Sequence, residues 1–183
     1  TDYEEYATRN SWFMRSQILP GNTWRMLQAD DERGVVTINE ERPYRFCYVL
    51  EDLYGNRRTY RFVVQGKKQE IEPLHKGKHY LKWNQGNIVQ QPGMSLVIPK
   101  GMLYEDVDLN CKVIADSLNI SYDYQLNDKP VPLHGGCSLV IGVRNYPIAD
   151  TSKYYVARKY KGRKSSAGGY FEDGFMFANI REL

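Results

Sequence analysis

The chain has 183 residues, 42% of them hydrophobic, enough to bury a core in one large domain or two of ~90 residues, so global disorder is excluded. Its 25 basic and 22 acidic residues leave a net charge of +3, too mild to imply a nucleic-acid partner. No run of ~18 apolar residues occurs, so no membrane-spanning helix is expected.

Fifteen Tyr, 6 Phe and 3 Trp accompany many Val, Ile and Thr, while Ala is scarce. Aromatic and β-branched side chains suit a pleated, half-buried surface, so strands are expected throughout. The chain opens Thr1-Asp2-Tyr3-Glu4-Glu5 without an initiator Met or signal peptide. We expect it to begin inside a longer protein or after a cleaved leader. The best helical candidates, Tyr3 to Arg15 and Leu103 to Ala115, lack a clear 3.6-residue period.

Strands are predicted at Phe13 to Leu19, Trp24 to Gln28 and Gly34 to Asn39, with a turn at Pro20-Gly21-Asn22. The clearest local signal is a hairpin. Tyr44, Phe46, Tyr48 and Leu50 alternate with Arg45, Cys47 and Val49, and Tyr60, Phe62 and Val64 alternate with Arg61 and Val63. The joint Asp52-Leu53-Tyr54-Gly55-Asn56 holds residues that tolerate turn dihedrals. By the period of two, Tyr44, Phe46, Tyr48 and Leu50 share one face, expected to be buried, with Cys47 as a small core residue.

The polar stretch Gln65 to Glu70, followed by Pro73, marks a boundary near Lys67 to Pro73. The expected modules are 1–68 and 69–183. Further strands are predicted at Asn87 to Gln91, Ser95 to Ile98, Ile120 to Leu126, Cys137 to Val143, Tyr154 to Tyr160 and Tyr170 to Ile180, each bounded by Pro, Gly, Asn or Asp. Many short strands at this spacing predict an all-β fold of two tandem small β-sandwich modules rather than a βαβ fold.

Few residues offer chemistry. His75 and His79 have His-x3-His spacing, and His134 is distant. Pro73, Gly77, Lys76 and Lys78 argue against a helix and against a cation there, so solvated loop histidines are expected and no metal site. Cys47, Cys111 and Cys137 do not make a disulfide framework. A Cys111–Cys137 bridge in an oxidising compartment stands as the alternative to buried thiols. No Gly-x-Ser-x-Gly elbow and no phosphate-cradling Gly loop occurs. Glu105, Asp106 and Asp108, and Glu172-Asp173, are acidic clusters that could serve a hydrolase. Acidic turns are the commoner explanation. Asn119-Ile120-Ser121 fits a glycosylation triplet, which matters only in a eukaryotic secretory setting.

One stretch is distinctive. Lys153, Arg158, Lys159, Lys161, Arg163 and Lys164 cluster, with no acid between Thr151 and Phe171, and Tyr154, Tyr155, Tyr160 and Tyr170 interleave. Tyr154, Arg158, Lys159, Tyr160, Lys161, Arg163 and Tyr170 are the candidate binding residues, for a polyanion or for a glycan on aromatic platforms. The competing explanation is a hairpin tip whose charges keep it soluble. No catalytic residue is assigned.

Tyr44 to Asn56 resembles the tyrosine-rich strand and Asp-x-x-Gly-Asn hairpin of small immunoglobulin-like modules. Ile98-Pro99-Lys100-Gly101-Met102-Leu103-Tyr104-Glu105-Asp106 resembles the Pro-x-Gly-x-Leu-Tyr-Glu-Asp step of a second module, and Pro132-Leu133-His134, Gly169-Tyr170-Phe171 and Ala178-Asn179-Ile180-Arg181 also fit it. In this order the motifs are similar to the non-catalytic immunoglobulin-like region that follows the peptidase domain in lysostaphin-type (murein endopeptidase) zinc metallopeptidases of Gram-negative anaerobes. The zinc ligands of that family, His-x3-Asp and His-x-His, have no counterpart here. The resemblance therefore implies an accessory region, with zinc only in a peptidase domain outside this chain. It implies a periplasmic, outer-envelope or secreted location, and as partners that peptidase domain and peptidoglycan or another envelope polymer. A free-standing adhesin-like or glycan-binding module is the alternative, and a hydrolase using the acidic cluster is a second.

Overall fold

A computed structural model describes residues 3–70, 77–115, 120–144 and 150–183. His75, the end of the expected boundary at Pro73 and the glycosylation triplet's Asn119 lie outside the described residues. The fold is all-β with several small sheets, compatible with β-sandwich modules. In chain order come a short helix α1 (Tyr3–Arg9), β1 (Pro43–Glu51), β2 (Arg57–Gln65), β3 (His79–Leu81), β4 (Asn87–Gln91), β5 (Met94–Ile98), β6 (Val107–Leu109), β7 (Lys112–Ile114), β8 (Asp123–Gln125), β9 (Pro132–Gly142), β10 (Ala157–Tyr160), β11 (Arg163–Ser166), β12 (Tyr170–Glu172) and β13 (Phe175–Glu182).

The chain forms two compact units, Asp30–His75 and Thr1–Ala29 together with Lys76–Leu183. This division differs from the expected modules 1–68 and 69–183. Its cause is local: the Gly21 N–H donates to the Tyr104 carbonyl at 2.6 Å, and His134 Nε2 lies 2.9 Å from the Gly21 carbonyl oxygen. The N-terminal segment thereby belongs with strands far along the chain.

In the larger unit, β12-β13-β9-β5-β4 form an antiparallel five-stranded sheet. Val89, Leu96, Leu139 and Met176 alternate with exposed or half-buried neighbours and turn inward. Val89, Leu96 and Leu139 pack with Leu81 of β3, Leu109 of β6, Leu103, Leu133, Cys137 and Leu183 in one cluster. The pairs β3–β6 and β7–β8 are separate small sheets. Asn87, a buried polar residue, accepts from Lys82 N–H and donates to the carbonyls of Lys82 and Gln85. It closes the β3–β4 connection without an unmet hydrogen bond.

The smaller unit carries the expected hairpin, β1 paired with β2 in register Phe46↔Phe62 and Tyr48↔Tyr60. Asp52 Oδ1 accepts from the N–H groups of Tyr54 and Asn56, both at 2.9 Å, and Gly55 takes φ +82°, so the turn forms on the residues that announced it. The expected burial does not follow. Tyr48 and Phe62 are each 44% exposed, Tyr44 and Phe46 are half-buried, and Cys47 is exposed. On this face Phe46 stacks on Phe62 at 5.1 Å and Tyr48 on Phe62 at 5.9 Å, and the Arg42 guanidinium lies 4.3 Å over the Tyr44 ring.

Other expectations are also corrected. The segments 13–19, 24–28 and 34–39 are not strands; Trp12, Phe13, Met14, Trp24 and Met26 are exposed, and no neighbouring strand pairs with them, so their β propensity has nothing to act on. Part of Tyr3 to Arg15 is helical, whereas Leu103 to Ala115 contains β6 and β7. Tyr170 to Ile180 is two strands broken at Asp173-Gly174, both at positive φ.

Candidate interaction surface

The basic, Tyr-rich stretch forms the hairpin β10–β11, with Lys161 and Gly162 as its turn at φ 46° and 77°. Two central residues at positive φ are what the tight hairpin turn compatible with strand twist needs. The register pairs Arg158 with Ser165, Lys159 with Lys164 and Tyr160 with Arg163. Alternation therefore splits the charges, placing Arg158, Tyr160 and Arg163 on one face and Lys159 and Lys164 on the other.

Several members have intramolecular partners. Arg158 forms an ion pair with Glu182, whose carboxylate also accepts from the Tyr3 hydroxyl. Burial first, then that hydrogen bond to Glu182, raises the Tyr3 phenol to about 12. Lys159 pairs with Asp123, which offsets the repulsion of Lys164 directly opposite. Lys153 pairs with Asp150 at 3.2 Å, and Lys161 Nζ lies 5.4 Å from the Tyr160 ring centroid. Arg163 and Lys164 are exposed on β11.

The tyrosines divide too. Tyr154 is only 8% exposed and meets Phe171 edge-on at 5.5 Å, so it is a packing residue and not a ligand platform. Tyr160 is half-buried and its hydroxyl donates to the Ala7 carbonyl. Tyr155 and Tyr170 are exposed, and Tyr170 stacks on Phe177 at 5.2 Å.

The remaining candidates hold structure together. Asp106 accepts from the Tyr80 hydroxyl at 2.9 Å and from the Trp83 N–H at 3.0 Å; the Tyr80 phenol is raised above its ordinary value, chiefly by this bond. Asp108 accepts from the Gly77 N–H at 2.8 Å. Both carboxylates thus tie the segment around β3 to that around β6. Neither described histidine is a solvated loop residue. His79 is half-buried in β3, its Nε2 2.8 Å from Gln91 Nε2. It lines a cavity of about 370 Å³ with Gln91, Asp108, Asn110 and Cys111. His134, half-buried in β9, stacks on Tyr104 at 3.7 Å. Sequence reasoning had no signal for either role, because each partner lies more than ten residues away. Among the described residues no three His, Cys, Asp or Glu side chains converge as a metal site. All three cysteines are free, and burial pushes the Cys111 and Cys137 thiols up.

No curated protein and no solved structure matches the chain. Residues 78–183, which carry β3 to β13, match the model of the Zu5-like domain. That match covers more than half of the sequence, and the chain belongs to the Zu5-like domain family.

Proposed function

We propose that this chain is a non-catalytic β module from a secreted, periplasmic or outer-envelope zinc endopeptidase, and that it positions the enzyme by docking on peptidoglycan or another envelope polymer. The supporting observation is the tip of β10–β11. It presents Arg163 and Lys164 to solvent beside the Lys161-Gly162 turn, while Arg158 and Lys159 have acidic partners inside the fold. An exposed cationic tip on a paired scaffold suits an anionic polymer better than a small substrate. The peptidase context rests on the motif order in the sequence.

Co-sedimentation with purified cell-wall sacculi tests the docking. Retention should fall with salt, since screening shortens to ~8 Å at physiological ionic strength, and should be lost in Arg163→Ala/Lys164→Ala. Absence of retention at low salt refutes it. The full reading frame tests the peptidase context: a His-x3-Asp and His-x-His set upstream supports it. A short frame without them favours the second reading, a free-standing adhesin-like or glycan-binding module, for which exposed Tyr155 and Tyr170 are the favouring observation.

A further inference from the structure

The face of the five-stranded sheet opposite the core carries a groove of about 310 Å³. Gln90, Ser95 and Val140 line it in one cross-strand row, Phe175 forms a wall, and Gly93 and Gly142 leave the floor without side chains. A Cβ built on Gly142 would lie 3.6 Å from the Gly93 carbonyl oxygen and 3.9 Å from Phe175 Cε1, ordinary contacts, so a side chain there would start from within the groove.

The register extends the row. Val140 pairs with Phe177, and Phe177 with Tyr170, so Gln90, Ser95, Val140, Phe177 and Tyr170 cross all five strands, about 19 Å at ordinary strand spacing. The adjacent row is Ile88, Val97, Ser138 and Asn179. Neither row contains a charged residue; at the margins are Glu172, opposite Phe175, and Arg144, whose guanidinium lies 3.9 Å over the Tyr122 ring. The Gln90 amide and Ser95 hydroxyl make no hydrogen bond among the described residues.

These properties select a ligand class. Aromatic surface favours apolar faces, and an amide with a hydroxyl favours groups that both donate and accept. A charged ligand would lose hydration over these rows with no charged residue in either row to meet. An extended peptide is read by unpaired backbone at a sheet edge, whereas β5, β9 and β13 are hydrogen-bonded on both sides. A sugar ring combines apolar C–H faces with hydroxyl edges and no charge. We propose that this groove binds an uncharged glycan chain, one ring resting against Phe175 with its hydroxyls on Gln90 and Ser95, and the chain continuing toward Tyr170. The inference goes beyond the envelope reading: it assigns an uncharged polymer to residues other than Arg163 and Lys164.

Isothermal titration of the whole chain with chitohexaose and with cellohexaose, at low and high salt, tests it. The expected result is saturable binding of at least one, unchanged by salt, weakened about tenfold or more in Gly142→Val and Gln90→Ala, and intact in Arg163→Ala/Lys164→Ala. Phe175→Ala should weaken it as well; circular dichroism checks its fold, and the other two variants decide if it fails to fold. No heat and no amide chemical-shift change with either oligosaccharide at millimolar concentration overturns the proposal, as does binding that survives Gly142→Val and Gln90→Ala. Sacculus retention without oligosaccharide binding removes the groove and keeps the cationic tip. Oligosaccharide binding without sacculus retention does the reverse.

Discussion

The Gly21 N–H donates to the carbonyl of Tyr104 at 2.6 Å, and the approach is so close that a Cβ on Gly21 would stand 2.4 Å from the Leu103 carbonyl oxygen. Backbone cannot yield as a flexible side-chain tip can. Gly21→Ala should therefore break this docking, costing about 1–3 kcal/mol through the lost backbone and His134 hydrogen bonds. Limited proteolysis should then cut within residues 10–29 faster than in wild type. An unchanged cleavage pattern would show that the segment is held elsewhere.

The two units should respond very differently to core truncation. Leu96 is fully buried, so Leu96→Ala should cost about 2–5 kcal/mol. Phe46 is half-buried and its principal ring partner is Phe62. Phe46→Ala should cost only about 1 kcal/mol, the worth of a surface aromatic pair with its modest burial. Urea unfolding of each variant measures both, and a Phe46 loss above ~3 kcal/mol would mean that the hairpin face is packed against something larger.

Thiol labelling should separate the cysteines. Cys47 is exposed on the hairpin, Cys111 half-buried and Cys137 fully buried. An aromatic disulfide reagent should titrate Cys47 at once, Cys111 more slowly, and Cys137 only as the larger unit unfolds, because burial also keeps the last two protonated. Immediate reaction of all three would contradict the packing.

Two titrations should appear outside the ordinary range. Tyr3 is raised to about 12, first by burial and then by its hydrogen bond to Glu182. A raised phenol stabilises the fold below its unfolded pKa and stops doing so as pH climbs through the folded one, so this contribution disappears between about 10 and the folded value. Glu182→Gln should lower the Tyr3 midpoint in ultraviolet titration, leaving the part due to burial.

Asp52 lies below its ordinary value, chiefly through the hydrogen bond from the Asn56 side chain and then from the Asn56 N–H. Its contribution is present above the unfolded carboxylate pKa of about 3.9 and is lost as acid protonates the folded form. The amide shifts of Tyr54 and Asn56 should move with a midpoint under that value. A normal midpoint would mean the turn bonds do not persist in solution.

Local patterns in the sequence were enough to place most strands of the larger unit. Val89, Leu96 and Leu139 sit in short runs rich in β-branched and apolar residues, and Pro92-Gly93 and Pro99-Lys100-Gly101 stop the runs that became β4 and β5. The same logic located the Asp52–Asn56 turn, because Asp52 meets residues two and four positions away. It failed at Phe13 to Leu19, where apolar residues flank Arg15-Ser16-Gln17 and no strand among the described residues pairs with them.

The candidate surface was legible only in part, since the run from Lys153 to Tyr170 announced cations and rings without their directions. Composition and period two settled the all-β class and the β1–β2 and β4–β5 hairpins with their turns, because those depend on residues near one another in the chain. Tertiary structure alone decided that Glu182 engages Arg158, that Asp123 engages Lys159, that Tyr154 packs inward on Phe171, and that Gly21 returns to Tyr104. Each of these joins elements whose meeting depends on how the strands pair and pack, and spacing along the chain carries no record of that arrangement.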